Sequence, residues 1–395
     1  MPAKKKGKNQ EEKVAYLGRP TNNVKIGIVG LPNVGKSSFF NCLSDLKVPA
    51  ENFPFCTIDP AVTRAIVPDE RYDHLVEAFN PKSRIPAVLN VTDIAGLVQG
   101  AHEGAGLGNA FLSHIAAVDA IFHVCREFKD KHIEHVENSV DPCRDLGIIS
   151  NELVQKDLAL VTAKHEAQVK LCRVGREKII APRVLATLTK AKETLEAGKD
   201  IRSVLDWNHH DITTLNELNL LTAKPVVYLV NVSKKGFLKN QSKWFQRVKE
   251  WCVARSGEKT VVIPFSASFE RELADCKSEA EKKAVWGKSK SRSFMPKIIR
   301  AGYEALGLVN FFTCGADEVR AWTVRSGRTA PEAAGVIHGD FERCFIMAQQ
   351  YSFDAFKEHG TEAAVKSAGL VRDRGKTYIV EDGDILFFKH NAGSG

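Results

Sequence analysis

Val24-Lys25-Ile26-Gly27-Ile28-Val29-Gly30-Leu31-Pro32-Asn33-Val34-Gly35-Lys36-Ser37 is the stretch whose reading decides the fold. Its first six residues are mostly apolar and read as a buried strand, stopped at once by glycine and proline. The last eight match G-x-x-x-x-G-K-[ST], and Ser37 to Leu46 continues as a short helix. A strand, a glycine turn and a helix in that order let consecutive main-chain N–H groups and a helix N-terminus surround phosphate oxygens. Asn33, Val34, Gly35, Lys36, Ser37 and Ser38 are therefore the expected nucleotide contacts, with Lys36 reaching the β/γ-phosphates and Ser37 ligating Mg²⁺. A glycine turn that binds nothing is the bland alternative; the length and context of the match argue against it.

Outward from this loop, Val88 to Asp93, Ala120 to Cys125, Pro225 to Asn231 and Thr260 to Pro264 read as further buried strands. Alternating with helical stretches, they predict an α/β domain with a mostly parallel sheet. Roughly one hundred residues separate Cys125 from Pro225, where a βαβ crossover unit needs only about 30, so something is inserted there. The Leu-, Ala-, Lys- and Glu-rich run from Val140 to Ala197 predicts two long helices, separated near Pro182, as an antiparallel hairpin. From about Leu306 the pattern changes to short β-like runs at Ala321 to Val324, Thr377 to Val380 and Ile385 to Phe388, with a helix around Thr361 to Ala368. That predicts a small α+β module, reached through a charged connection from Ala267 to Phe294.

The expected division is a disordered basic tail over 1–22, a nucleotide-binding domain in two pieces over 23–136 and 223–305, an inserted helical domain over 137–222, and the small module over 306–390. The apolar runs are too short to cross a bilayer, so a soluble, cytoplasmic protein is expected, working as a monomer away from membranes. A nuclear-import reading of Lys4-Lys5-Lys6 is weaker. The 9 cysteines are scattered without metal-ligand spacing, which gives no support to a disulfide framework or a zinc site. The formal charge of +8 is concentrated between Lys4 and Lys8 and between Lys234 and Arg300. Such clusters suit anionic partners, RNA among them, or are simply solvated surface.

Asp93-Ile94-Ala95-Gly96, at the end of a predicted strand, is the expected second half of the phosphate site. Asp93 is placed to hold Mg²⁺ and Gly96 to donate its N–H to the γ-phosphate, while Thr57 is the candidate switch threonine over the metal. After Gly96 stands Leu97, where many related switch proteins use glutamine to orient water. Leucine cannot hydrogen-bond water, so another group must do so. His102, His114 and His123 are the nearby candidates, each individually as well explained by structure. For the base, Asn231-Val232-Ser233-Lys234 replaces the Asn-Lys-x-Asp of a guanine site. Lysine has no acceptor and repels the guanine donors, so ATP is expected over GTP, read by Asn231 and Val232 and backed by Ser266 and Ala267.

With these residues in view, the chain resembles the Obg-like ATPases, the YchF family of translation-factor-class P-loop proteins, over nearly all of Lys25 to Lys389. The motifs that carry the resemblance are Gly30 to Ser37, Asn52-Phe53-Pro54-Phe55-Cys56-Thr57-Ile58-Asp59-Pro60, Asp93 to Val98, Gly106 to Leu112, and Arg320-Ala321-Trp322-Thr323-Val324. The resemblance implies a G domain interrupted by a helical coiled-coil domain and followed by a TGS domain. It also implies ATP preference, a hydrophobic residue in the glutamine position (here Leu97), and slow hydrolysis stimulated by the ribosome. The family's hydrolytic histidine maps to His123, which makes it the first choice, although a histidine in an apolar strand is otherwise a satisfied core residue. Asn33 occupies the position where an asparagine can help bind K⁺, and serves equally as a turn former. Members usually carry an acid where this chain has Lys234. A nucleotide-gated scaffold with incidental turnover is the alternative to an ATP-hydrolysing switch.

Overall fold

The computed structural model of the chain describes residues 17–18, 24–44, 62–94, 107–130, 132–174, 180–287 and 292–391. Thr57, Gly96, Leu97 and His102 lie outside them. The first sheet is built from β1 (Lys25–Val29), β2 (Val62–Ile66), β4 (Val88–Asp93), β5 (Ala120–Arg126), β6 (Val226–Asn231) and β7 (Val261–Phe265); β3 (Ser83–Ile85) leaves it for a second sheet. Its order is β2-β4-β1-β5-β6-β7, with β2 antiparallel at the edge and the rest parallel. Parallel strands covered on both faces need apolar side chains on both, which is why β1, β5 and β6 read as near-continuous apolar runs. Ile26, Ile28, Phe122, Val227 and Leu229 are all sealed in the central core.

The chain between β5 and β6 forms the predicted insertion. The helix Pro142–Val174 packs against Ile180–Glu196, and His209–Leu218 completes the layer. The first long helix serves two cores: Ile149 and Leu153 join the sheet's core, and Val161 joins Leu188, Ala191, Leu195 and Trp207. Asp157 fixes the return to β6, accepting from Leu221 N at 3.0 Å and from Thr222 N and Oγ1 at 2.7 Å each. Pro182 does not separate the helices; it sits in the first turn of Ile180–Glu196, where the N–H it lacks has no intrahelical partner anyway. Nor is the basic tail featureless up to Asn22: Gly18 N donates to Asn216 Oδ1 at 2.7 Å, and Leu17 packs on the insertion's core.

The second sheet contains β3, β8 (Leu308–Cys314), β9 (Glu318–Arg325), β10 (Phe345–Ser352), β11 (Arg372–Arg374) and β12 (Asp384–His390), in the order β11-β10-β12-β8-β9-β3. The run Thr377 to Val380 is not a strand; Ile379 makes only an isolated antiparallel bridge to Thr329. The small module is stitched to the nucleotide-binding domain because β3 pairs in parallel with β9, Ser83 with Glu318 through Ile85 with Arg320. Arg71 reinforces the seam at 2.8 Å from both Asp69 and Asp382, and Phe312, Tyr351 and Ile385 share the central core.

Candidate functional site

The C-terminal ends of β1, β5 and β6 open onto a cavity of about 660 Å³, lined by Asn33, Gly35, Lys36, Ser37 and Ser38 from the phosphate loop and by Asn231, Val232, Ser233, Lys234 and Ala267 from the loops after β6 and β7. The phosphate loop holds its shape for steric reasons. Gly35 sits at φ 103°, where an L side chain is strained, and a Cβ there would collide with Asn231 Nδ2. A Cβ on Gly30 would lie 2.5 Å from Val124 O. Asn33 takes the left-handed conformation at φ 62°, which asparagine tolerates better than most residues.

The helix Lys36–Ser44 starts at the cavity, so its first-turn N–H groups lack intrahelical partners there, an end that favours anions. Lys36 Nζ donates to Gly30 O at 3.0 Å and Leu31 O at 2.9 Å. Burial lowers the pKa of this ammonium, and the charge of Asp93 opposes the shift. Burial likewise raises the pKa of Asp93, opposed by Lys36 and by a hydrogen bond with Ser37. One carboxylate oxygen, Asp93 Oδ1, is buried with no hydrogen-bond partner among the described residues. An orphaned buried carboxylate oxygen beside a serine hydroxyl is a fitting pair of oxygen ligands for Mg²⁺, which takes few protein ligands and leaves the rest to phosphate and water.

Asn231 makes two loop contacts that the base-reading expectation does not include. Its side chain is 3% exposed, with Nδ2 donating to Val34 O at 2.9 Å and Oδ1 accepting from Ala267 N at 3.1 Å. It therefore ties the phosphate loop to the loop after β7, as well as lining the cavity. Ser266 and Val34 are buried behind that wall, with the Ser266 hydroxyl 3.2 Å from Ser268 Oγ. Lys234 also lines the cavity, in an ion pair with Glu272.

His123 is not brought to the cavity. It lies in β5, 5% exposed, with its ring 5.5 Å from that of Tyr228. Burial, with the charge of Arg202 adding to it against Asp200, lowers its pKa to about 3. A neutral core histidine is the bland alternative weighed from sequence, and a part in hydrolysis would require the ring to leave Tyr228. His114 lies on the helix Leu107–Ala117, which follows the undescribed switch segment.

Sequence reasoning missed the remaining wall: Phe128, Lys129, Asp130 and Ile133 from the loop after β5, with Asn41, Ser268 and Arg271. Only folding brings these residues to the site, and no local motif marks them.

Comparison with known proteins agrees with this architecture. A family model described as "50S ribosome-binding GTPase" matches residues 25–163, and the C-terminal YchF GTPase model, described as "Protein of unknown function (DUF933)", matches residues 308–391. Obg-like ATPase 1 of Rattus norvegicus is 50% identical over 391 residues, covering 99% of this chain and 98% of the relative. The chain belongs to the Obg-like ATPase (YchF) family. Obg-like ATPase 1 of Oryza sativa subsp. japonica is 51% identical over 379 residues, 96% of this chain and 95% of the relative. The solved Schizosaccharomyces pombe YchF GTPase superposes with a TM-score of 0.86 at 46% identity, covering 95% of this chain and all of that one. Family membership accounts for the α/β G domain with a phosphate-binding loop and for the C-terminal α+β domain. No helix among the described residues is long and apolar enough to cross a membrane.

Proposed function

We propose that the chain is a Mg²⁺-dependent ATPase that prefers ATP to GTP and turns over slowly as a conformational switch. Lys234 carries the specificity part of this reading: it lines the cavity beside Val232 and pairs with Glu272, and this supports a site in which an ammonium stands where guanine would need an acceptor. Ser37 and Asp93, with Thr57 outside the described residues, would hold the metal, which would supply neutralisation of the phosphate charge. Lys36 moves from two loop carbonyls to phosphate oxygens when nucleotide binds. Asn33 anchors its amide nitrogen on Glu134 O at 3.2 Å, which leaves its side-chain oxygen as the K⁺ ligand. The base is bounded by Val232, Ser266 and Ala267, with Asn231 holding that wall in place.

The ribosome is the proposed partner and the cytoplasm the proposed compartment, with RNA contact through the basic stretches Lys4 to Lys8 and Lys234 to Arg300. Leu97 keeps the scaffold reading open, since it cannot orient the attacking water. Single-turnover ATP hydrolysis with and without ribosomes separates the two: marked stimulation supports the switch, none supports the scaffold. Substituting Lys234→Asp tests base selection. The ratio of GTP to ATP affinity should rise about ten-fold or more, and an unchanged ratio would remove Lys234 as the discriminator.

A further inference from the structure

Arg126, the last residue of β5, carries a buried cation beside the phosphate loop that the nucleotide reading does not use. Its residue is 1% exposed, and its guanidinium donates to main-chain carbonyls: Nε to Phe128 O at 3.0 Å, one terminal nitrogen to Ile133 O at 3.1 Å, and the other to Asn33 O at 3.4 Å and Glu134 O at 3.5 Å. The guanidinium carbon also lies 4.4 Å from the centre of the Phe128 ring. These acceptors belong to two separate segments. One is the loop carrying Phe128, Lys129, Asp130 and Ile133, which walls the cavity; the other is Asn33 at the left-handed apex of the phosphate loop.

Asn33 strengthens the same bridge by donating from Nδ2 to Glu134 O at 3.2 Å. The far end of the walling loop is pinned independently. His135 Nδ1 accepts from Glu137 N at 3.1 Å, and its Nε2 lies 2.9 Å from a carboxylate oxygen of Asp145 in the first turn of Pro142–Val174. The loop is thus fixed to the insertion just beyond Glu134, and Arg126, with the Asn33 side chain, fixes it to the phosphate loop. A planar fork can serve several carbonyls at once in set directions, and a lysine ammonium on a flexible stem cannot.

We propose that Arg126 is a positioning residue for nucleotide binding: its guanidinium clamps the loop carrying Phe128, Ile133 and Glu134 to Asn33, holding one wall of the cavity in the geometry that grips the nucleotide. This rests on the reading of the cavity as a nucleotide site. The clamp acts on the bound ground state, so its loss weakens binding and leaves the chemical step nearly untouched.

The test uses the full chain as wild type, Arg126→Lys and Asn33→Gly, all in K⁺-free buffer; the last keeps the left-handed backbone while deleting the side-chain bond to Glu134, and without K⁺ the lost amide oxygen has no cation to ligate. Binding of a fluorescent Mg·ADP analogue, kcat and KM for ATP, and the melting temperature without nucleotide are measured on each. For Arg126→Lys, Kd and KM should rise about ten-fold, as expected when a fork of charge-assisted bonds is replaced by one ammonium, with kcat within about three-fold of wild type. Adding Asn33→Gly to Arg126→Lys should weaken binding by less than the product of the two single effects, because both bonds close one bridge. A Kd for Arg126→Lys within two-fold of wild type overturns the proposal, as does a fall in kcat with Kd unchanged. If Arg126→Lys unfolds, an Asn33→Gly Kd equal to wild type overturns it by itself. Wild type that binds neither Mg·ATP nor Mg·GTP overturns the nucleotide reading and this proposal together.

Discussion

His123 offers a sharp test of how the core is arranged, because its charge is excluded from the folded state. Its ring is packed on Tyr228 in β5, and burial, aided by Arg202, lowers its pKa to about 3. In the unfolded chain a histidine titrates near 6.5, so between these two values the unfolded state binds a proton that the folded state refuses. Stability is then full above about pH 6.5, falls as pH drops toward 3, and levels off below that. At pH 5 the folded His123 is still neutral, so the loss depends only on the unfolded value and comes to about 2 kcal/mol. The perturbation is His123→Leu, which removes the titrating group. Urea unfolding followed by circular dichroism is measured for both proteins at pH 7.5 and pH 5. The wild-type stability minus that of the variant should drop by about 2 kcal/mol between the two pH values, whatever the other titrating groups contribute to both. A difference that stays within about 0.5 kcal/mol, the reach of ordinary non-additivity, would refute the reasoning. It would mean that His123 titrates normally in the folded protein, as an accessible proton carrier in hydrolysis must.

Two further outcomes follow from contacts at the site and the seam. Asn231→Ala leaves Val34 O and Ala267 N without their side-chain partners, so urea unfolding should show a loss of about 2–3 kcal/mol, with weaker nucleotide binding measured by titration. Arg71→Gln breaks the ion pairs with Asp69 and Asp382, a partly exposed set worth about 1 kcal/mol; hydrogen exchange should quicken in β3 and β9 while β1 and β5 stay protected.

The phosphate loop was legible because strand, glycines, lysine and serine are contiguous and the chemistry fixes their spacing. β5 and β6 were legible for another reason, that strands buried on both faces must be apolar throughout. β3 carried no such signal: three residues, Ser83-Arg84-Ile85, are a strand only because β9 meets them from more than two hundred residues away. Thr377-Tyr378-Ile379-Val380 shows the converse, strong β-propensity that tertiary context leaves as a single bridge. Within the site, Lys36 and Asp93 fell where their motifs put them. For Asn231 the motif points to the base, while its bonds to main-chain groups of two loops appear only with the fold. Arg126 could not be found from sequence, since an arginine closing a strand looks like any surface cation until its carbonyl partners are in place.

The most direct measurement is calorimetric titration of the full chain with Mg·ATP and Mg·GTP, beside Lys36→Ala. The account predicts one nucleotide per chain, ATP bound more tightly than GTP, and affinity reduced about ten-fold or more in the variant, from which a charge-assisted phosphate contact is missing. Absence of binding heat in the wild type, or a Lys36→Ala chain that binds as the wild type does, would contradict it.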